Sequence, residues 1–421
     1  MASIDARTRF AGDSIPLDGE WLVDELPTVL EKTGSLGGRG ARVLGLSPLG
    51  FTVDDVRVHL TVDDERLVVR EGDADDGPIA ALDAVALSDL ANDEASTFGL
   101  TMASRVEMLR GTTDDFVAWE PVLRAVLDAR PVYEPGSIAF HDRDGGDLDL
   151  RRSFRVDDPR EDIGHFLAVA GFLHLDGVFS EAEMAAVSTD LDAALGAADR
   201  DDGGSWWARN DDGWYPSRVL GFNLRSPALR DLVTSDRFRT IGTFTDDPMV
   251  ERPHLTGDSA EGLHKRIGIV EGISDVSWHK DCSLGGHSRQ CCGLVVGISV
   301  TGADAGSGEL GVVAGSHRAN VQHIGVRSDL DLPRLPLPTR TGDVTVHCTC
   351  TLHMSRPPVN RERRVVYTGF GLAPRPGDLV ERRDPEEIRR ERAALNDQTR
   401  RLQQLEDFGH DTDTFALERT V

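Results

Sequence analysis

The chain has 421 residues and, at roughly 100–200 residues per domain, enough length for two or three folded units with a sizeable core. Asp and Glu (72) outnumber Lys and Arg (46), a formal net charge of −26 that no local basic stretch offsets, which disfavours nucleic acid and anionic membrane as partners. No apolar run approaches the ~18 residues a membrane span needs, and Met1 to Arg7 carry no apolar signal region. The five cysteines (Cys282, Cys291, Cys292, Cys348 and Cys350) are odd in number and confined to one third of the chain, unlike a secreted disulfide scaffold. A reduced, cytoplasmic protein is expected.

Residues 1–150 predict a small α+β domain. Val56 to Val62 alternates apolar and polar side chains, the period of a half-buried strand, and Arg66 to Arg70 follows an acidic turn, so the two read as a hairpin. Segments 79–91 and 116–128 read as helices, the second with Trp119, Val122, Leu123 and Val126 near helical spacing. A turn-rich polar connection from Glu134 through His141–Asp147 marks the boundary. Residues 151–375 form the next unit. There Ser180 and Glu183 make a capping box for a helix over 180–198. From about 265 to 372 short strands alternate with Gly and Pro, the pattern of a sandwich or jelly roll. In residues 376–421, Asp384 and Pro385 start a helix in which Ile388, Leu395 and Leu402 repeat every seven residues and Gly409 is a stop. Docking on its own domain is the simpler fate of that helix; pairing with a second copy, a homodimer, is the alternative.

The chemistry gathers in two places. In Trp278-His279-Lys280-Asp281, residues 279 and 281 share one face if the segment is a strand, so an imidazole and a carboxylate can reach one divalent cation. A histidine from a later strand would complete a two-His, one-carboxylate face whose open positions suit Fe(II) with a chelating cosubstrate and dioxygen. Gly342-Asp343 opens that later stretch. Read as one strand over 344–353, it sends Val344, Val346, Cys348, Cys350 and Leu352 to one face, and Thr345, His347, Thr349, Thr351 and His353 to the other. His347 and His353 then share parity, and periodicity does not choose between them. Arg361, Arg363 and Arg364 follow; an arginine suits a bidentate grip on a carboxylate, although a solvated turn accounts for at least two of the three.

Taken in order, Trp278-His279-x-Asp281, then Gly308-Glu309-Leu310 through Gly315-Ser316-His317, then Gly342-Asp343 with His353-x-Ser355, Asn360 and Arg364, resemble the phytanoyl-CoA dioxygenase family over roughly residues 160–375. The resemblance implies a double-stranded β-helix and an Fe(II)- and 2-oxoglutarate-dependent oxygenase using O2. It implies His279, Asp281 and His353 as iron ligands, Arg364 on the distal carboxylate of 2-oxoglutarate, and Ser355 assisting. This sequence has one more residue between His347 and His353 than the family pattern. Related halogenases lack the carboxylate, so Asp281 favours hydroxylation or another oxidative outcome over halogenation. A faint similarity of the N-terminal region to sterol carrier protein-like domains implies a lipid under an α+β layer.

The fold expected is therefore α+β: a jelly-roll oxygenase domain with flanking helices, preceded by a small α+β domain and followed by a helix. The function expected is hydroxylation of an unactivated C–H of a small-molecule or lipid-like substrate, with a non-catalytic lipid-binding barrel as the alternative. His317 is expected to be structural, and the cysteines to be buried thiols rather than a zinc or iron–sulfur site, because their spacings do not form paired Cys-x-x-Cys knuckles. Loops 200–218, with Trp206, Trp207 and Trp214, and 282–292 are the expected substrate contacts.

Overall fold

The computed structural model describes residues 15–200, 203–252, 260–272, 276–283 and 293–373. The helix expected within 376–421 lies outside these residues, as do Cys291, Cys292 and most of the 282–292 loop.

In the N-terminal part, α1 (Trp21–Asp24) and α2 (Leu26–Leu44) precede β1 (Leu49–Val53), β2 (Val56–Asp63), β3 (Arg66–Glu71) and β4 (Ile79–Leu82). Then come α3 (Ala84–Ala91), α4 (Thr97–Met102), β5 (Glu107–Arg110), α5 (Thr113–Val117) and α6 (Glu120–Leu127). The strands form one sheet in the order β3-β2-β1-β4-β5, with the β2–β3 hairpin as expected and β1–β4 parallel. Helix α2 carries a glycine-rich face that lets the sheet approach closely: a Cβ on Gly38 would lie 2.2 Å from the Glu65 carbonyl oxygen. Those glycines dilute the apolar period by which the helix could have been read.

Two helices expected here are corrected. Segment 79–91 begins as β4, because the Asp83 side chain caps the Ala86 amide and starts α3 only there. Segment 116–128 is two helices, α5 and α6; the restart falls where Pro121, without an N–H, sits in a first turn.

The larger unit continues with α7 (Arg160–Ala170), β6 (Phe172–Leu175), α8 (Glu181–Gly196), β7 (Ser205–Asn210) and β8 (Gly213–Val219). Next are α9 (Phe222–Arg225), α10 (Pro227–Val233), α11 (Asp236–Gly242), β9 (Met249–Glu251), β10 (Glu261–Lys265) and β11 (Val276–His279). The remaining strands are β12 (Gly293–Ser299), β13 (Leu310–Val313), β14 (Arg334–Leu337), β15 (Val344–Cys348), β16 (His353–Ser355) and β17 (Arg363–Leu372). They form two sheets: β6-β15-β12-β17-β10-β8-β7, with β9 beside β17, and β11-β16-β13-β14. From β10 onward successive strands largely alternate between the two sheets, which is the connectivity of a double-stranded β-helix. The capping box of α8 is present as expected, with Ser180 and Glu183 bonded reciprocally.

The single strand expected over 344–353 is two. β15 ends at Cys348, a turn carries the chain across, and β16 belongs to the other sheet. The turn is fixed by Thr351 Oγ1 on the Gly171 carbonyl and by Ser316 Oγ accepting from the Leu352 amide. At the head of β15, Gly342 has φ +87°, and a Cβ there would meet the Phe179 carbonyl at 1.9 Å. Val344, Val346, Cys348, Val366 and Phe370 join Phe166, Met184, Leu191 and Phe238 of the helices in one buried cluster. The polar residues Thr345 (6% exposed) and His347 (1%) are buried as well, so they do not face solvent.

Candidate metal centre

β11 and β16 are antiparallel neighbours in which His279 and His353 are direct cross-strand partners, so their rings stand on one face with centroids 4.3 Å apart. Each ring is oriented the same way: Nδ1 of His279 donates to the Ser277 carbonyl at 2.8 Å, and Nδ1 of His353 to the Thr351 carbonyl at 3.0 Å. That leaves both Nε2 atoms bare and aimed into the barrel. Asp281, in the turn Asp281–Ser283 just past β11, brings Oδ1 to 3.4 Å from His279 Nε2 and 3.6 Å from His353 Nε2. One donor atom from each of the three lies within 4.8 Å of the others.

Protonation suits the same use. Burial alone would raise the Asp281 pKa, but the imidazoles of His353, His279 and His347 outweigh it and hold the carboxyl well below the usual range. Burial, helped by the neighbouring histidines and opposed by Asp281, pushes His353 well below the usual histidine value. A carboxylate beside the neutral imidazole of His353 is a state that binds a divalent cation. Two nitrogen donors and one oxygen donor on one face match a metal that keeps open positions.

His347 comes in too. Its ring centroid lies 4.2 Å from that of His353, the two planes tilted by 43°, and its Nε2 is 3.4 Å from Asp281 Oδ2. The histidine that periodicity left as an alternative thus borders the same carboxylate from β15.

Farther into the barrel lies a group of cations. Arg363, 3% exposed, donates Nη1 to the Gly308 carbonyl at 2.6 Å and Nη2 to Tyr367 Oη at 3.2 Å and Ser355 Oγ at 3.4 Å. Its Nε is buried and has no hydrogen-bond partner among the described residues. Lys265, 1% exposed, donates Nζ to Ser355 Oγ at 2.7 Å and to the Arg356 carbonyl at 2.6 Å. Both come from the β10–β17 pair, in which Lys265 opposes Arg363. Such a pocket fits an anion.

Arg364 is not there. It opposes His264 on the other face of the strand and reaches outward to α8, with Nη1 on Ser188 Oγ at 2.7 Å and Nη2 on Asp192 Oδ1 at 2.7 Å. The role expected for Arg364 is therefore corrected: strand alternation turns it away from the barrel interior, and its neighbour Arg363 points in. Ser355, by contrast, stands at the anion pocket. The sequence held two signals for the missed cations. Val366 and Phe370 share the parity of Arg364 and mark the helix-packed face, and Lys265 and Lys280 are two of only three lysines in a chain that otherwise uses arginine.

Other expected residues are placed as follows. His317 holds the end of α7 through Nε2 and the Ala168 carbonyl at 3.0 Å, a structural position. Cys282, Cys348 and Cys350 are all buried, with Cys282 Sγ 3.6 Å from Cys350 Sγ. Residues 205–219 form the β7–β8 hairpin rather than a loop; Trp206 is buried with Leu220 against Val276 of β11.

Residues 167–366 match the family model for phytanoyl-CoA dioxygenase. No curated protein sequence matches the chain. Among solved structures, similarity is found to the epimerase SnoN in complex with Fe3+, alpha-ketoglutarate and nogalamycin RO, at 18% identity over 51% of this chain and 84% of that one, TM-score 0.41. The non-heme alpha-ketoglutarate-dependent carbocyclase SnoK matches at 22% identity over 53% and 87%, TM-score 0.42. EctD from S. alaskensis with bound Fe matches at 16% over 58% and 83%, TM-score 0.42. The N-terminal part lies outside the matched family segment, and nothing supports the likeness to sterol carrier proteins. Over residues 167–366 the chain is therefore similar to the phytanoyl-CoA dioxygenase family.

Proposed function

We propose that this chain is an Fe(II)- and 2-oxoglutarate-dependent dioxygenase that hydroxylates an unactivated C–H of a small-molecule or lipid-like substrate, releasing succinate and CO2. The observation that carries the reading is the meeting of His279 Nε2, His353 Nε2 and Asp281 Oδ1 at one point inside the barrel. These three residues would hold the iron. With 2-oxoglutarate and O2, iron supplies the oxidising power to break a C–H bond.

The chain's own groups do the rest. The carbonyls of Ser277 and Thr351 fix the two rings so that Nε2 faces inward. Arg363 is the distal-carboxylate clamp in this reading, taking the role that Arg364 cannot fill. Ser355 Oγ, already shared by Arg363 and Lys265, offers a further hydrogen bond to the same carboxylate. The buried setting of these cations strengthens the attraction, because water does not compete for it. Trp206 and the β7–β8 hairpin, beside the start of β11, are the described part of the proposed substrate wall.

The test is anaerobic. Purified protein should bind one Fe(II) per chain and develop a visible absorption band when 2-oxoglutarate is added. Single changes of His279, Asp281 or His353 to Ala should abolish the band. A band that survives all three changes would sink the reading. Aerobic incubation with a metabolite extract, followed by mass spectrometry for a product heavier by one oxygen atom, identifies the substrate.

A further inference from the structure

We infer that His347 is a positioning residue for Asp281: it holds one carboxylate oxygen so that only the other is presented to the metal. The inference rests on the metal-centre reading above. The two oxygens of Asp281 have separate neighbours. Oδ1 faces the two histidines His279 and His353, at 3.4 and 3.6 Å, whereas Oδ2 faces His347 Nε2 at 3.4 Å.

His347 has no other evident work. It is 1% exposed, and among the described residues neither of its ring nitrogens makes a regular hydrogen bond. A buried imidazole N–H left unsatisfied is costly, so a residue that keeps one is supported by what the N–H does there. The 3.4 Å approach to Oδ2 is loose, of the kind that tightens once a site is filled. It is also no member of the ligand group itself: the donor atoms that lie within 4.8 Å of one another are those of His279, Asp281 and His353.

The chemical consequence concerns coordination number. A carboxylate free to rotate can offer both oxygens to a cation and so occupy a position that a chelating cosubstrate needs. A proton carried on His347 Nε2 is donated to Oδ2 and keeps Asp281 monodentate. Partners of this kind beyond the ligands themselves typically contribute 10–100-fold to metal affinity.

Anaerobic titration with Co(II), whose visible spectrum reports its ligand set, tests the inference through a readout that needs no turnover. His347→Leu should weaken Co(II) binding by about 10- to 100-fold and change the shape of the spectrum. His347→Gln, whose side-chain amide reaches about as far as Nε2, should restore most of both; His347→Asn, too short, should not. In an Asp281→Ala background His347→Leu should cost nothing further. Parent-like affinity and spectrum in His347→Leu would overturn the inference. So would an equal loss in the Asp281→Ala background, which would make His347 a ligand in its own right. If the Leu variant does not fold, the contrast between Gln and Asn decides, with no difference between them counting against the inference. Parent-like Co(II) binding by His279→Ala and His353→Ala would overturn the metal-centre reading itself, a result distinct from one confined to the His347 variants.

Discussion

Arg363 and Arg364 are adjacent, equally charged, and separated by the β17 sheet into different environments. Arg363 is enclosed with Ser355, Tyr367 and Lys265, and its Nε has no hydrogen-bond partner among the described residues. Arg364 makes a half-exposed ion pair with Asp192 that water and salt screen. Hydrogen bonds to a charged group contribute about 1.5–3 kcal/mol, or roughly 10- to 100-fold in affinity. Arg363→Met should therefore raise the 2-oxoglutarate KM by about that factor, whereas Arg364→Met should leave it unchanged and cost at most about 1 kcal/mol of stability. Steady-state kinetics with 2-oxoglutarate as the varied component separates the two; an effect of Arg364→Met alone would return the clamp to the residue the family spacing indicated.

The elements that carry the site are tied to their neighbours by buried polar groups. Asp343, at the head of β15, accepts from the Gly177 amide at 2.8 Å, the Arg340 amide at 2.7 Å and His174 Nε2 at 3.2 Å. Partial burial would raise its pKa, but these hydrogen bonds prevail and hold the carboxyl below its ordinary value. A depressed folded-state pKa means that the unfolded chain takes up the proton first as pH falls. The stabilisation is thus complete above the unfolded value of about 3.9 and is lost as pH drops through the folded value. Thermal melts should show Asp343→Asn losing stability at neutral pH and converging toward the parent in acid. In the N-terminal unit, Arg124 of α6 sits 3.1 Å from Asp93, 3.2 Å from Glu120 and 3.3 Å from Asp128, all buried to 1% exposure or less. Burial raises the Glu120 pKa against the pull of Arg124. Arg124→Met strands buried carboxylates and should cost about 3–5 kcal/mol, measured by denaturant unfolding.

At the scale of the whole molecule, the N-terminal unit is joined to β11, the strand that bears His279 and leads into Asp281. Residues 316–326, after β13, bridge them. Asn320 Nδ2 donates to the Pro121 and Arg130 carbonyls at 2.8 and 2.9 Å, and its own carbonyl accepts from the Tyr133 amide at 3.0 Å. A few residues on, His323 accepts from the Lys280 amide, Gly325 donates to the Trp278 carbonyl, and Ile324 bridges to His279. Ile324 is buried among Phe98, Met102 and Val117. Asn320→Ala should destabilise this junction by about 1–3 kcal/mol, because it removes two side-chain hydrogen bonds that span it. Hydrogen exchange should show the loss at β11 amides as well as at the α6 end; exchange confined to the N-terminal unit would argue that the two are uncoupled. Among the described residues no helix is long and apolar enough to cross a membrane.

Local rules made much of this protein legible from its residues alone. Alternation in Val56–Val62 specifies a strand whatever surrounds it, the Ser180–Glu183 box satisfies amides within one turn, and His279-x-Asp281 sets an imidazole and a carboxylate two residues apart. What depends on distant packing was not legible. Helix α2 is held by close approach to β3 across its glycines, an interaction absent from its own sequence period. The placement of His347 and His353 on different sheets depends on a turn anchored by Gly171 and Ser316. The choice between Arg363 and Arg364 depends on the register of β17 against β10, because one residue of slip exchanges the inside of a barrel for its outside.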